Sequence, residues 1–360
     1  MISRGTEVSA SEEQRPAGPE RIPGCFRPGA QAGFTLLELL VAVTITVVVA
    51  GLMFAVTSNV LKLWQRSQGQ QEQNATAYQV FALLERDLQS ALHRRDANCW
   101  LAADILDSAA ALANHGWLLN TGRAKPAAGG SLRLLPIDAS SGLPSLRDAR
   151  FGLSGVWLRW VCTNVEAGGG LPTVIAWQLV RRPVTGDAVG ANLAPARYAL
   201  YRSVVSASET FAQGYDVTAS AYGSTANTPT SALSTAFRQA RNVTNPSHAN
   251  LLAPNVVDFG CWCYRRDAAG ELVRLFPTDG SDVSHHAIGQ SDSDPSRFPE
   301  VVDVFLRILT GEGVILVEAM ESGLSMRPSE FTTDAEWWWS VVETHSTVFT
   351  RRIEILGKVP

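Results

Sequence analysis

The chain has 360 residues, 46% of them hydrophobic and 18% charged, with a formal net charge of −4. That length supports one large domain or two small ones with a sizeable core. The mild acidity provides no basic face, so no nucleic-acid partner is expected.

Residues 1–33 contain four Pro, five Gly, four Arg and four Glu without helical or strand periodicity, and read as a leader. Phe34 to Val56 follows, 23 residues with a single charge, Glu38. As a helix this segment is roughly 35 Å long at about 1.5 Å per residue, enough to cross a bilayer core. A secretory signal fits less well, because its apolar region is shorter and ends in a small-x-small cleavage site. Orientation is weakly coded, with Arg21 and Arg27 before the span and Lys62 and Arg66 after it.

A charge inside a span costs a few kcal/mol, roughly, so Glu38 calls for a partner or a function. The helix dipole favours an acid in the first turns, by about 1 kcal/mol or less. Two readings follow: the carboxylate reaches headgroup water, or it pairs with a cation from a neighbouring subunit. The surrounding residues, "GFTLLELLVA" from Gly33 to Ala42, resemble the type III signal of type IV prepilins and type II secretion pseudopilins. Gly33, Phe34, Thr35, Leu36, Leu37 and Glu38 match that signal position for position. The resemblance implies that a membrane prepilin peptidase cuts between Gly33 and Phe34 and methylates the new Phe34 amine. Glu38 then pairs with the Phe34 amine of an adjacent subunit in a helical filament. It also implies a single-pass inner-membrane protein with a periplasmic head. Its partners would be other pilins or pseudopilins, the peptidase, the inner-membrane assembly platform and membrane lipid. A leader of this length with balanced charge is unusual for the family.

No Pro occurs between Phe34 and Lys125, so the helix is free to continue beyond the span. Leu63, Trp64, Tyr78, Phe81, Leu84, Leu88 and Leu92 recur mostly at helical spacing. In "YQVFALLERDLQSALHRR", Phe81, Leu84, Leu88 and Leu92 form one stripe, with Glu85, Arg86, Asp87 and Gln89 mainly away from it. This predicts an amphipathic stalk over 57–98; a separate surface helix after a linker near Gly69 is the alternative.

From Leu101 onward, short apolar runs alternate with Gly/Pro/Ser/Asn clusters. Strands are expected at 131–137, 155–163, 173–183, 197–206, 256–266, 271–277, 301–310 and 346–356, with "RRDAAGEL" as a hairpin turn. The stretch 207–250 is poor in apolar residues and reads as a long polar insertion. Strands after a long helix indicate an α+β fold, a transmembrane-to-stalk helix packed on an antiparallel head over 99–360. This segment order resembles the large J-type minor pseudopilin, which implies a structural subunit acting in a tip or initiation complex. A membrane-anchored envelope module that binds a surface, a substrate or DNA is the alternative.

Chemistry elsewhere is sparse. No CxxC pair occurs, which leaves zinc and thioredoxin-type sites unsupported. Removing the leader removes Cys25 and leaves Cys99, Cys162, Cys261 and Cys263. Cys261 and Cys263, two apart on a predicted strand, share a face. Each can pair with Cys99 or Cys162 in an oxidising compartment; buried thiols are the equal alternative. In "TDGSDVSHHAIGQSDSDP", Asp279, Asp282, Asp292 and Asp294 are candidate calcium ligands, but the spacing departs from the EF-hand loop and a solvated loop is the plainer reading. "FGLSGV" falls one residue short of a nucleophile elbow. No cofactor and no enzymatic constellation are expected. Trp337, Trp338 and Trp339 either pack on the sheet or form an exposed docking patch.

Overall fold

An uninterrupted run without proline permits one long helix, and α1 (Leu36–Gln89) is 54 residues long. The computed structural model describes residues 35–94, 96–106, 123–126, 146, 149–163, 169–183, 195–223, 239–278, 283–288 and 297–355. The chain divides into two units, Met1–Lys62 and Leu63–Pro360.

Within the first unit every turn of α1 is exposed, from Leu36 through Leu61. In the second unit the helix becomes one-sided. Ala77, Val80, Phe81, Leu84 and Leu88 are buried in the core, as the stripe predicts, whereas Leu63, Trp64 and Tyr78 are exposed. The helix ends at Gln89, before the expected boundary at Asn98. There Ala91 bridges to Cys162, and Leu92 donates its N–H to Val161 at 2.8 Å, so the chain leaves the helix to join a sheet.

The strands that follow are β1 (Cys99–Ile105), β2 (Val156–Thr163), β3 (Pro172–Pro183) and β4 (Ala196–Val204). Three short helices come next, α2 (Ala207–Ala212), α3 (Ser220–Gly223) and α4 (Arg241–Thr244), then β5 (Leu251–Pro254). The chain continues through β6 (Val256–Arg266), β7 (Leu272–Phe276), β8 (Ser284–Ile288) and β9 (Val301–Leu309). It then passes through α5 (Gly311–Glu321), α6 (Asp334–Thr344) and β10 (Ser346–Glu354).

The strands form two antiparallel sheets, one of six in the order β5-β4-β3-β2-β1-β8 and one of four in the order β10-β9-β6-β7. This is the expected α+β, pilin-like architecture. The β6–β7 hairpin turns at the predicted place, where the Asp267 carboxylate accepts the N–H groups of Ala269 and Glu271, each at 2.9 Å. Strands β1, β5 and β8 fall outside the expected set; β5 and β8 are only four and five residues long. The strand expected at 131–137 lies outside the described residues.

Central strands β2 and β3 are buried along almost their whole length, which explains why apolar runs rather than strict alternation mark them. Part of their cover comes from the polar stretch 207–250. Thr210, Val217, Tyr222, Ala240 and Val243 of that stretch are buried, and the Val243 carbonyl accepts from Trp157 Nε1 at 3.0 Å and Gln178 Nε2 at 2.8 Å. A stretch poor in large apolar residues thus supplies a few well-placed ones and a backbone acceptor.

The second half of α1 is tied to both sheets. Buried Asp87 accepts a bidentate pair from Arg202 of β4 at 2.7 and 2.9 Å, and its carbonyl accepts from Trp160 Nε1 at 3.0 Å. Gln73 donates to the Ile308 carbonyl of β9 at 2.9 Å and accepts from Thr347 of β10, while Glu85 pairs with Arg351. Placing Asp87 on the polar side is corrected by this structure. The residue lies three positions after Leu84, about 60° from it around the helix, and so borders the buried stripe.

Candidate functional site

The first turn of α1 holds the acid that the sequence singles out. Thr35 occupies the position just before the helix and Glu38 the third position within it. The Glu38 N–H donates to Thr35 Oγ1 at 3.2 Å, and the Thr35 N–H donates back to Glu38 Oε2 at 3.0 Å. The Thr35 hydroxyl also reaches Glu38 Oε2 at 3.0 Å. This is a capping box: two of the amide groups that a helix N-terminus leaves unpaired are satisfied reciprocally. The carboxylate therefore finds donors within its own chain as well as any that a neighbour supplies. Thr-x-x-Glu ahead of an apolar run is the sequence signal for it.

Behind that cap the helix presents apolar side chains on all sides. One window of 18 residues in α1 reaches a mean hydropathy of 2.7, and none of that window is buried. The two hydroxyls in the run are paired within the helix. Thr44 Oγ1 donates to the carbonyls of Leu40 at 2.7 Å and Val41 at 3.0 Å, and Thr46 Oγ1 to that of Ala42 at 2.7 Å. No backbone or hydroxyl group here needs water, which is the condition for residence in lipid. By length and composition this helix is compatible with a single-pass membrane anchor. Gly33 and Phe34 lie outside the described residues.

Residues 29–54, which span this cap and the apolar run behind it, match the family model described as the prokaryotic N-terminal methylation motif. At this motif the chain is type IV pilin-like. No curated protein and no solved structure matches it. The match covers the signal and the first part of the helix, and the head is read from its own geometry.

The head keeps its cysteines as thiols. Cys99, Cys162, Cys261 and Cys263 are all free and buried, the alternative to bridges that the sequence leaves open. Burial pushes Cys99 and Cys162 up to about 12. A hydrogen bond donated by its own S–H to Cys263, together with burial, holds Cys261 well above its ordinary value. Thiols of this kind are poor nucleophiles. The expected result is that an alkylating reagent modifies none of the four in the folded full chain in detergent, and all four after unfolding without reductant. Rapid labelling of the folded chain would contradict the burial, and a pair protected after unfolding would reveal a bridge.

The calcium candidates Asp279, Asp282, Asp292 and Asp294 lie outside the described residues. The segment between them is strand β8, whose His286 Nε2 meets Asp104 of β1 at 2.9 Å and whose buried His285 contacts the Arg297 carbonyl at 3.1 Å. Among the described residues no group of three His, Cys, Asp or Glu could hold a metal ion. Trp337, Trp338 and Trp339 are buried, which selects packing over an exposed patch. They occupy the start of α6, which a second capping box of Thr333 and Glu336 begins.

Three residues missed by sequence reasoning, Arg181, Tyr198 and Glu321, form a buried polar centre with Trp338 where α5 and α6 meet the six-stranded sheet. Glu321 Oε2 accepts from Arg181 Nε at 2.8 Å and Nη2 at 2.7 Å. Glu321 Oε1 accepts from Trp338 Nε1 at 3.0 Å and from the Tyr198 hydroxyl. Burial, reinforced by the Glu321 charge, holds the Tyr198 phenol protonated well above its ordinary value, so it is a donor here. Every oxygen of the acid is used within the fold, which makes this centre a tie between layers.

Proposed function

We propose that the chain is a structural minor pseudopilin-like subunit of a type II secretion or type IV pilus-like filament, most similar to the J-type subunit. The single observation that carries this is the methylation motif at residues 29–54 running directly into an exposed apolar helix long enough to anchor the subunit. A prepilin peptidase cuts between Gly33 and Phe34 and methylates Phe34, and the subunit waits in the inner membrane with its head in the periplasm. Assembly moves the helix from lipid into a filament of other pilins, on the assembly platform. The size of the head suits a tip or initiation position better than a subunit repeated along the filament. The protein's role is assembly rather than catalysis.

The capping box gives this route a physical step. In the membrane, Thr35 and the helix N-terminus hold the Glu38 carboxylate, which lowers the cost of storing it there. On assembly the Phe34 amine of a neighbouring subunit offers a full positive charge, and charge-assisted pairing in low dielectric outweighs the neutral donors. Glu38→Ala is expected to stay in the membrane fraction and to fall to background in sheared filaments or subunit cross-links. Normal incorporation of Glu38→Ala would remove the pairing role.

A further inference from the structure

Lys125 and Asp258 are the most deeply buried pair of opposite charges among the described residues. Both side chains are fully inaccessible, and Lys125 Nζ stands 2.8 Å from Asp258 Oδ1. The surroundings are aromatic: the Trp339 ring centroid is 5.9 Å from Nζ, and Phe151 and Phe259 flank the carboxyl through their backbones. Taking both charges of such a pair out of water is costly, and their mutual attraction offsets that cost only in part. Its two members come from segments 133 residues apart, so the contact joins distant parts of the head.

We propose that Lys125 and Asp258 react with each other to form an intrachain isopeptide bond, a covalent tie between the 123–126 segment and β6. The reacting atoms are already held in place. The Lys125 backbone N–H donates to the Tyr198 hydroxyl oxygen at 2.9 Å, and Tyr198 is anchored in turn on Glu321. Asp258 Oδ2 accepts the Phe151 N–H at 3.0 Å, and Oδ1 accepts the Phe259 N–H at 3.1 Å. The carboxyl carbon lies one bond beyond Oδ1, within reach of the roughly 3–3.5 Å separation of near-attack conformers.

The step balances without any further reactant. The ammonium passes one proton to Oδ1, which leaves a neutral amine facing a neutral acid. Nζ attacks the carboxyl carbon and a C–N bond forms, while negative charge gathers on Oδ2 against the Phe151 N–H, a donor already aimed at it. A second proton moves from Nζ to Oδ1, the C–Oδ1 bond breaks, and one water leaves. Nothing is oxidised or reduced. Burial favours the neutral forms the step requires, drawing the lysine down and the carboxyl up, while the nearby Arg307 charge disfavours the ammonium and favours the carboxylate. Exclusion of bulk water also works against hydrolysis of the amide once formed.

The test is a peptide map of the full chain purified in detergent, denatured and reduced before digestion. The expected result is a branched peptide joining the Lys125 segment to the Asp258 segment, lighter by one water than the two together. Lys125→Met and Asp258→Ala should each abolish it. Recovery of only the separate, unmodified Lys125 and Asp258 peptides from the wild-type chain would overturn the proposal and leave a plain buried ion pair. The wild-type digest is decisive whether or not either variant folds. It reads only head peptides, so its outcome is independent of processing at Gly33.

Discussion

Replacing Glu321 by Ala is expected to destabilise the head by about 3–5 kcal/mol, the usual cost of removing one member of a buried ion pair. The size of the effect follows from what the carboxylate holds. Arg181 is buried with it in β3, and Tyr198 and Trp338 each direct a donor at Oε1. Truncation deprives all three of this acceptor at once, and water does not reach them. For a domain of this size that corresponds to a fall in melting temperature on the order of 10 °C. Glu321→Gln separates the contributions, because it keeps an acceptor for Tyr198 and Trp338 but removes the charge facing Arg181; it should cost clearly less than Ala. Glu321→Met combined with Arg181→Met should recover most of the loss, since a buried pair replaced by apolar groups of similar volume is often neutral. Thermal unfolding of the full chain in detergent measures all three. An unchanged midpoint in Glu321→Ala would show that the centre contributes little to stability.

A second large loss is expected at Gly155, at the turn that leads into β2. Its φ is +67°, and a Cβ built there would lie 2.3 Å from the Phe259 carbonyl oxygen, a backbone atom of the facing sheet. Ala at this position meets two costs, about 1–2 kcal/mol for the left-handed backbone and about 1–3 kcal/mol for forcing the two sheets apart. Gly214 separates them. Its φ is +68° and nothing lies within 4 Å of its added Cβ, so Gly214→Ala should show the backbone cost alone. Equal losses at the two sites by denaturant unfolding would mean that the approach of β2 to β6 is looser than described. The turn also accounts for the G-x-S-G resemblance in "FGLSGV": its second glycine is demanded by the close passage of Phe259.

The N-terminal site was legible because its information is contiguous. A small residue, an aromatic and an acid precede an apolar run, and each type has a local physical role. Even so, the sequence reading looks to another subunit for the partner of Glu38, while Thr35 provides one in the same turn. The stripe of Phe81, Leu84 and Leu88 was readable for the same reason, since one helix turn carries the pattern. Asp87, Glu321 and Asp258 were not, because what buries each acid is a cation between 115 and 140 positions away in the sequence. Nothing near them in the chain distinguishes them from a solvated carboxylate. Strand β8 escaped notice because "SHHAI" on a sheet edge follows neither the apolar run of a central strand nor the alternation of a half-buried one. The polar stretch at 207–250 misleads in a similar way, because its few buried residues are spread thinly among Ser, Thr and Asn.

Entry into a filament through a processed N-terminus can be read from the mass of the N-terminal peptide of the membrane-extracted protein. The expected mass is that of a chain beginning at Phe34 with one methyl group on its amine. A chain that retains residues upstream of Phe34, or that begins elsewhere, would contradict it.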